Sequence, residues 1–190
     1  MKTRESGMPD DASWQTYFSP DATLRAMGLH ADTGDVVDFG CGYGTFAIPA
    51  ARIIKGSVYA LDIEADMVAA TQAKADAEGV ANVLAIRRNF VTEGTGLDDG
   101  QAGFAMLFNI LHCEEPERLL AEAWRVLRAG GVLGIMHWRC DIPTPRGPSM
   151  AIRPRPEQCQ QWAEQVGFKA NERTVLGLPP YHYGLAMIKQ

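Results

Sequence analysis

Apolar and polar positions along the 190-residue chain switch between two periods, and the switches mark out the elements. Val36-Val37-Asp38-Phe39 is a short β-branched run ending in glycines, the pattern of a buried strand. Thr45 to Lys55 takes helical spacing and is stopped by Gly56; Pro49 lies near its first turn, where a missing N–H costs least. Ser57 to Leu61 reads as a second strand, and the Ala-rich Glu64 to Glu78, closed by Gly79, as a second helix. Val83 to Arg87 makes a third strand. A connection through Gly94, Gly96, Gly100 and Gly103 leads to a fourth, Phe104–Phe108. Leu119, Leu120, Ala123, Trp124 and Leu127 recur at helical spacing, so Glu114 to Arg128 is predicted as an amphipathic helix ended by Gly130-Gly131, with Val132 to Trp138 as strand five.

By the right-handed crossover rule this order gives an α/β, doubly wound, open parallel sheet covered on both faces. The two ends depart from the alternation. Upstream, short helical stretches are expected around Trp14 to Phe18 and around Pro20 to Met27, where Asp21 supports the first turn. Downstream, Ile142 to Pro156 holds five of the eleven prolines and reads as an extended loop. Pro156 opens a helix through Val166 that Gly167 stops. Phe168 to Leu176, a Pro179-Pro180 turn and Gly184 to Ile188 form a closing hairpin, which adds an antiparallel strand to the sheet.

Composition narrows the function more than the fold. Values of 46% apolar and 22% charged residues are ordinary, and the length suits one domain with a substantial core. A net charge of -5 argues against a surface that coats nucleic acid. No apolar run approaches the roughly 18 to 20 residues of a membrane span, and Met1 to Asp10 lacks the apolar core of a signal peptide. A soluble, cytoplasmic protein is expected. Cys41, Cys113, Cys140 and Cys159 form no CxxC pair and are read as reduced thiols.

Asp38-Phe39-Gly40-Cys41-Gly42-Tyr43-Gly44 carries the strongest chemical signal, directly after strand one and before a helix. Glycines there let the backbone turn sharply and approach a ligand. The spacing is GxGxG, without the third glycine of a dinucleotide fingerprint, since position 45 is threonine. Asp38 can accept from a cationic amine. Asp62, at the end of strand two, suits both hydroxyls of a ribose. After strand three stand Arg88-Asn89-Phe90, a polar side chain beside an aromatic one; after strand four, Phe108-Asn109-Ile110-Leu111-His112 reach the same carboxyl edge.

Together VVDFGCGYG, VYALDIEADMV, RRNF, FAMLFNILH and LLAEAWRVLRAGGVLGIMHW resemble the class I S-adenosylmethionine-dependent methyltransferases, over about Asp35 to Gln190. The resemblance implies the seven-stranded, Rossmann-like methyltransferase fold in a single domain, 1–190. That domain would comprise a helical cap (1–30), a cofactor-binding core (31–140) and a proline-rich loop, helix and hairpin (141–190). It implies S-adenosylmethionine as cofactor. Asp38, Gly40, Cys41 and Gly42 would hold its methionine portion, Asp62 the ribose, and Ile63 and Met67 the two faces of the adenine. Asn89, with Phe90 beside it, would meet the adenine amine, where the family more often has aspartate. Phe108 and Asn109 would line the methionyl side.

Acceptor candidates lie at the same edge. In the family's strand order, strands four and five are neighbours, so His112 and His137 can converge and deprotonate a nucleophile. Trp138, Tyr181 and His182, with Arg146 on the proline loop and Tyr17 upstream, are expected to contact the substrate; Tyr17 and Phe18 would cover the cofactor. The loop arginines 139, 146, 153 and 155 face only Asp141 and could meet an acceptor's carboxylate or phosphate. Two His and two Cys here match no metal-ligand spacing, and no metal is expected. The family's amine-modifying members carry a proline-aromatic motif after strand four, which here reads Asn-Ile-Leu-His. A small-molecule acceptor is expected, with neither nucleic acid nor membrane as partner. A nicotinamide-dependent oxidoreductase is opposed by the glycine spacing and by the lack of any Tyr-x-x-x-Lys; a non-catalytic S-adenosylmethionine-binding module is the other competitor. The sequence carries no signal for oligomeric state.

Overall fold

The computed structural model describes residues 16–170 and 174–190. Seven strands, β1 (Asp35–Phe39), β2 (Val58–Asp62), β3 (Val83–Arg87), β4 (Ala102–Phe108), β5 (Leu127–Trp138), β6 (Val175–Leu178) and β7 (His182–Ile188), form one sheet in the order β3-β2-β1-β4-β5-β7-β6. Strands β1 to β5 are parallel; β7 runs antiparallel to β5 and β6. The expected fold class is the one observed. Helices α1 (Pro20–Ala26), α2 (Ala47–Ile53) and α3 (Ala65–Ala77) cover one face, where Leu24, Ile48 and Ala75 pack on Val36, Ala60 and Met106. On the other face α4 (Pro116–Val126) and α5 (Pro156–Val166) bury Leu119, Leu120, Ala123 and Ala163 against Val37, Ala105, Leu107 and Leu185. Each central strand is buried on both faces and reads accordingly as a continuous apolar run.

Between β3 and β4 no helix intervenes. Residues 88–101 instead form a loop tied to α4: Thr95 donates from its N–H (2.6 Å) and hydroxyl (2.7 Å) to Glu122 Oε1. Without a crossover helix the outer strand is poorly covered, and Leu84 and Ile86 are 43% and 36% exposed.

Three expectations need correction. Gly130-Gly131 does not end α4: the helix stops at Val126, and Leu127 is already extended and paired with Ala102. Lys189 Nζ takes up the carbonyls of Trp124 and Leu127 (2.6 and 2.7 Å), so the helix is closed by a side chain from the far end of the chain. The glycines sit where β5 bulges before pairing with Phe104. Second, the hairpin's first strand is Val175–Leu178; within 168–170 only Lys169 pairs, with Ile188. Third, Thr16 to Phe18 is a turn and not helical, and Trp14 lies outside the described residues. No helix among the described residues is long and apolar enough to cross a membrane.

Candidate functional site

The chain order reverses at β1, which pairs with β2 on one side and β4 on the other, so the connections leaving β1 and β4 diverge and leave a crevice at their carboxyl ends. The glycine segment turns there. Gly40, Gly42 and Gly44 have φ of 80°, 54° and 73°, a left-handed backbone that side chains with a Cβ rarely adopt. The N–H groups of Gly40 and Cys41 both donate to the Leu61 carbonyl, which folds the turn back onto β2. Asp62 completes the clamp. Its Oδ2 accepts from Gly42 N (2.9 Å) and its Oδ1 from Glu64 N (3.0 Å), while Thr71 Oγ1 donates to the Gly42 carbonyl. Burial raises the Asp62 carboxyl above the usual range, and these backbone N–H bonds pull it back. Each oxygen keeps a lone pair for a ligand hydroxyl.

Inside the turn lies a cavity of about 100 Å³ bordered by Asp38, Thr45, Phe46, Phe108, Asn109 and Trp138, with Gly40 to Gly42, Ile110, His112 and Pro148 completing the wall. Three polar groups on it lack partners. Asp38 is 3% exposed and makes no side-chain hydrogen bond among the described residues. Burial, then the charge of Asp62, pushes its carboxyl up to about 8. Thr45 Oγ1 and Asn109 Oδ1 are buried and unbonded. Asn109 also holds φ of 58°, its N–H donating to the Met136 carbonyl at 2.7 Å. Strain and an orphaned acceptor at one residue point to ligand contact rather than to folding.

His112 and His137 meet at 3.2 Å between Nδ1 of the first and Nε2 of the second. Only His112 borders the cavity. His137 lies wholly behind it, its Nδ1 3.4 Å from the Trp138 carbonyl. Burial, then His112, lowers its imidazole to about 3. An aromatic group roofs this end: Phe18 meets Phe46 edge-on and lies tilted against His182, and Tyr17 and Tyr181 lie against Trp138. His182 itself does not reach the cavity. It is enclosed between Phe18 and Trp138, with ring centroids 4.7 and 4.1 Å away, its Nε2 unbonded and its imidazole lowered by burial to about 3.

The arginines divide. Arg153 is buried and donates to the carbonyls of Pro148, Arg139 and Arg146, with its guanidinium over Trp138. Arg139 is bound bidentately by Asp141. Arg146 and Arg155 remain exposed, and Arg146 contributes its carbonyl to the loop, not its side chain to the cavity. Toward β2 and β3, Ile63 and Met67 are half-buried. Phe90 packs edge-on against Phe39, and Asn89 Oδ1 accepts from Thr92 N at 3.4 Å. Thr45, Phe46, Ile110 and Pro148 border the cavity without a sequence motif of their own; the first two directly follow the glycine run, the one signal in the sequence that marks them.

Comparisons with known proteins bear on the fold and the family. Ribosomal protein L11 methyltransferase of Oceanobacillus iheyensis is 31% identical over 119 residues, which make up 61% of this chain and 36% of that protein. The chain thus spans well under half the length of this curated relative. A SAM-dependent methyltransferase of Aquifex aeolicus superposes with a TM-score of 0.83 over 95% of each chain, at 24% identity. Geranyl diphosphate methyltransferase in complex with SAM superposes at 0.73 over 98% of this chain and 94% of its own, at 14% identity. A family model described as a methyltransferase domain matches residues 36–131, half of the length, and the chain belongs to that family.

Proposed function

We propose that the chain transfers a methyl group from S-adenosylmethionine to a small-molecule acceptor. One observation carries the reading: a buried carboxyl and two orphaned oxygens, on Asp38, Thr45 and Asn109, face one cavity inside a glycine turn that Asp62 clamps. That donor set fits the cofactor. Asp38 would hold its ammonium, Asn109 would add an acceptor for the same group, and the outer lone pairs of Asp62 would take the ribose hydroxyls. Adenine would lie toward Ile63, Met67 and Asn89, with Phe90 as the floor. When bound, the cofactor supplies a sulfonium methyl whose carbon–sulfur bond breaks, its electron pair staying on sulfur, as the acceptor's pair forms the new bond.

The protein's own part is positioning and exclusion of water. Phe46, Phe108, Trp138 and Pro148 wall the cavity, and Tyr17, Phe18 and Tyr181 close over the aromatic end. The apolar side of this wall suits an acceptor with an apolar body. The relative's name gives a protein acceptor, ribosomal protein L11, and the match covers only 36% of that relative. Calorimetric titration with S-adenosylhomocysteine, NAD and NADP tests the cofactor: the first alone should bind. Asp62→Ala should weaken that binding by about 1–3 kcal/mol, the usual loss for hydrogen bonds to a charged group. Asp62→Asn, which keeps an acceptor for Gly42, should lose less. Unchanged affinity in both variants would remove Asp62 from the ribose site.

A further inference from the structure

We infer that the Thr45 hydroxyl donates to the carboxylate of the bound cofactor, and so selects a nucleoside sulfonium or thioether whose amino-acid end is complete. The ligand class rests on the methyl-transfer reading; the unmet hydroxyl belongs to the protein alone.

Other buried threonines of this chain find partners inside it. Thr71 Oγ1 donates to the Gly42 carbonyl, Thr95 Oγ1 donates to Glu122, and Thr33 Oγ1 accepts from His30 N. Thr45 does not: the residue is 6% exposed, and its Oγ1 is buried and unbonded. A threonine at the head of a helix ordinarily turns its oxygen onto one of the first free N–H groups. Here the Ile48 N–H goes to the Gly44 carbonyl, and the Thr45 oxygen takes no N–H at all. A buried hydroxyl left in this way weakens the empty fold, and the position is explained only by a group that arrives from outside.

The neighbours decide which group that is. Asp38, Thr45 and Asn109 border the same cavity. Asn109 Oδ1 only accepts, and Asp38 does so once a ligand ammonium has displaced its proton; the Thr45 oxygen always carries a hydrogen to give. An ammonium and a carboxylate on one carbon answer all three groups together, the cation at Asp38 and Asn109 and the anion at Thr45. Thr45 also borders a second hollow, beside Gly44, with Pro20, Pro49, Arg52, Lys74 and Glu78. Arg52 is paired with Glu78 there, and neither Asp38 nor Asn109 borders that hollow, so the unmet groups converge on the first cavity. Away from water, a ligand that lacks the carboxylate leaves the hydroxyl as unmet as before.

Calorimetric titration with two thioethers measures the selection: S-adenosylhomocysteine, and its decarboxylated analogue, which keeps the nucleoside and the amine. Thr45→Val should weaken the first about 10- to 100-fold, the range for a hydrogen bond to a charged group, and leave the second within about twofold. Thr45→Ser, which keeps the hydroxyl, should hold the first near the unaltered protein. Equal weakening of both ligands by Thr45→Val would mean that the hydroxyl accepts from the ammonium, and overturns the inference; unchanged affinity for both overturns it too. In the ligand-free protein Thr45→Val should raise Tm, because a methyl replaces an unbonded buried hydroxyl of the same shape. A lowered Tm would show the hydroxyl bonded within the fold, again overturning the inference. Failure of the unaltered protein to bind either thioether would sink the cofactor reading and the inference with it, whereas S-adenosylhomocysteine binding that is indifferent to Thr45→Val sinks the inference alone.

Discussion

Asp38 is held in a state that suits a ligand better than the empty fold. Burial, and after it the charge of Asp62, lifts its carboxyl to about 8, so at neutral pH the group is mostly protonated. Because its folded value lies above its unfolded one, it favours the native state at low pH and stops doing so as pH rises from the ordinary carboxylate range to about 8. A bound ammonium reverses the preference and expels the proton. S-adenosylhomocysteine affinity should therefore rise between pH 6 and 8, by up to about tenfold per unit, with about one proton released in buffers of different ionisation enthalpy. Asp38→Asn should flatten that dependence, weaken binding and raise Tm at pH 8. A flat wild-type profile would show that no ligand cation meets Asp38. Gain of stability with loss of binding is the signature of a residue kept for function.

Elements were legible in the sequence wherever local periodicity decided them, and not where a distant group did. Val83–Arg87 and Pro156–Val166 fall where pattern and caps put them. The end of α4 does not, because the lysine that closes it lies 62 residues away. The same holds in the site. Glycine spacing marked the turn, but the orphaned oxygens of Thr45 and Asn109 become visible only when the crevice is assembled. The meeting of His112 and His137 depends on strands four and five being neighbours, which topology supplies and local sequence does not. The connection across 88–101 was readable as glycine-rich, but its anchor was not. Thr95, 2% exposed, depends on Glu122, whose carboxyl burial would raise but the bonds from Arg125 and Thr95 hold low. Glu122→Ala should cost about 1–3 kcal/mol by stranding the Thr95 N–H, and speed amide exchange across 88–101 more than elsewhere. Uniform exchange would mean that the loop stands without its anchor.

For the molecule as a whole, the buried rings set an acid limit. His137 and His182 both sit near 3 when folded and rise to the ordinary histidine value when unfolded, so the unfolded chain binds protons first as pH falls. Stability should decline from about pH 6.5 downward, by up to about 1.4 kcal/mol per unit for each ring. His182→Phe keeps the ring contacts with Phe18 and Trp138, removes an unbonded buried nitrogen, and should raise Tm most at pH 5; an unchanged slope would mean His182 is solvated. With Asp38 acting in the opposite sense, maximal stability falls near neutrality. Arg153 has a different consequence. It fastens the proline loop by main-chain oxygens alone, those of Arg139, Arg146 and Pro148, so the fastening is blind to most side chains it secures. Gly147 is the exception, since a Cβ there would press within 2.9 Å of Trp138. The rim between Pro143 and Arg146 is thus free to be rewritten, by selection or by an engineer, without unseating the wall beside the cavity.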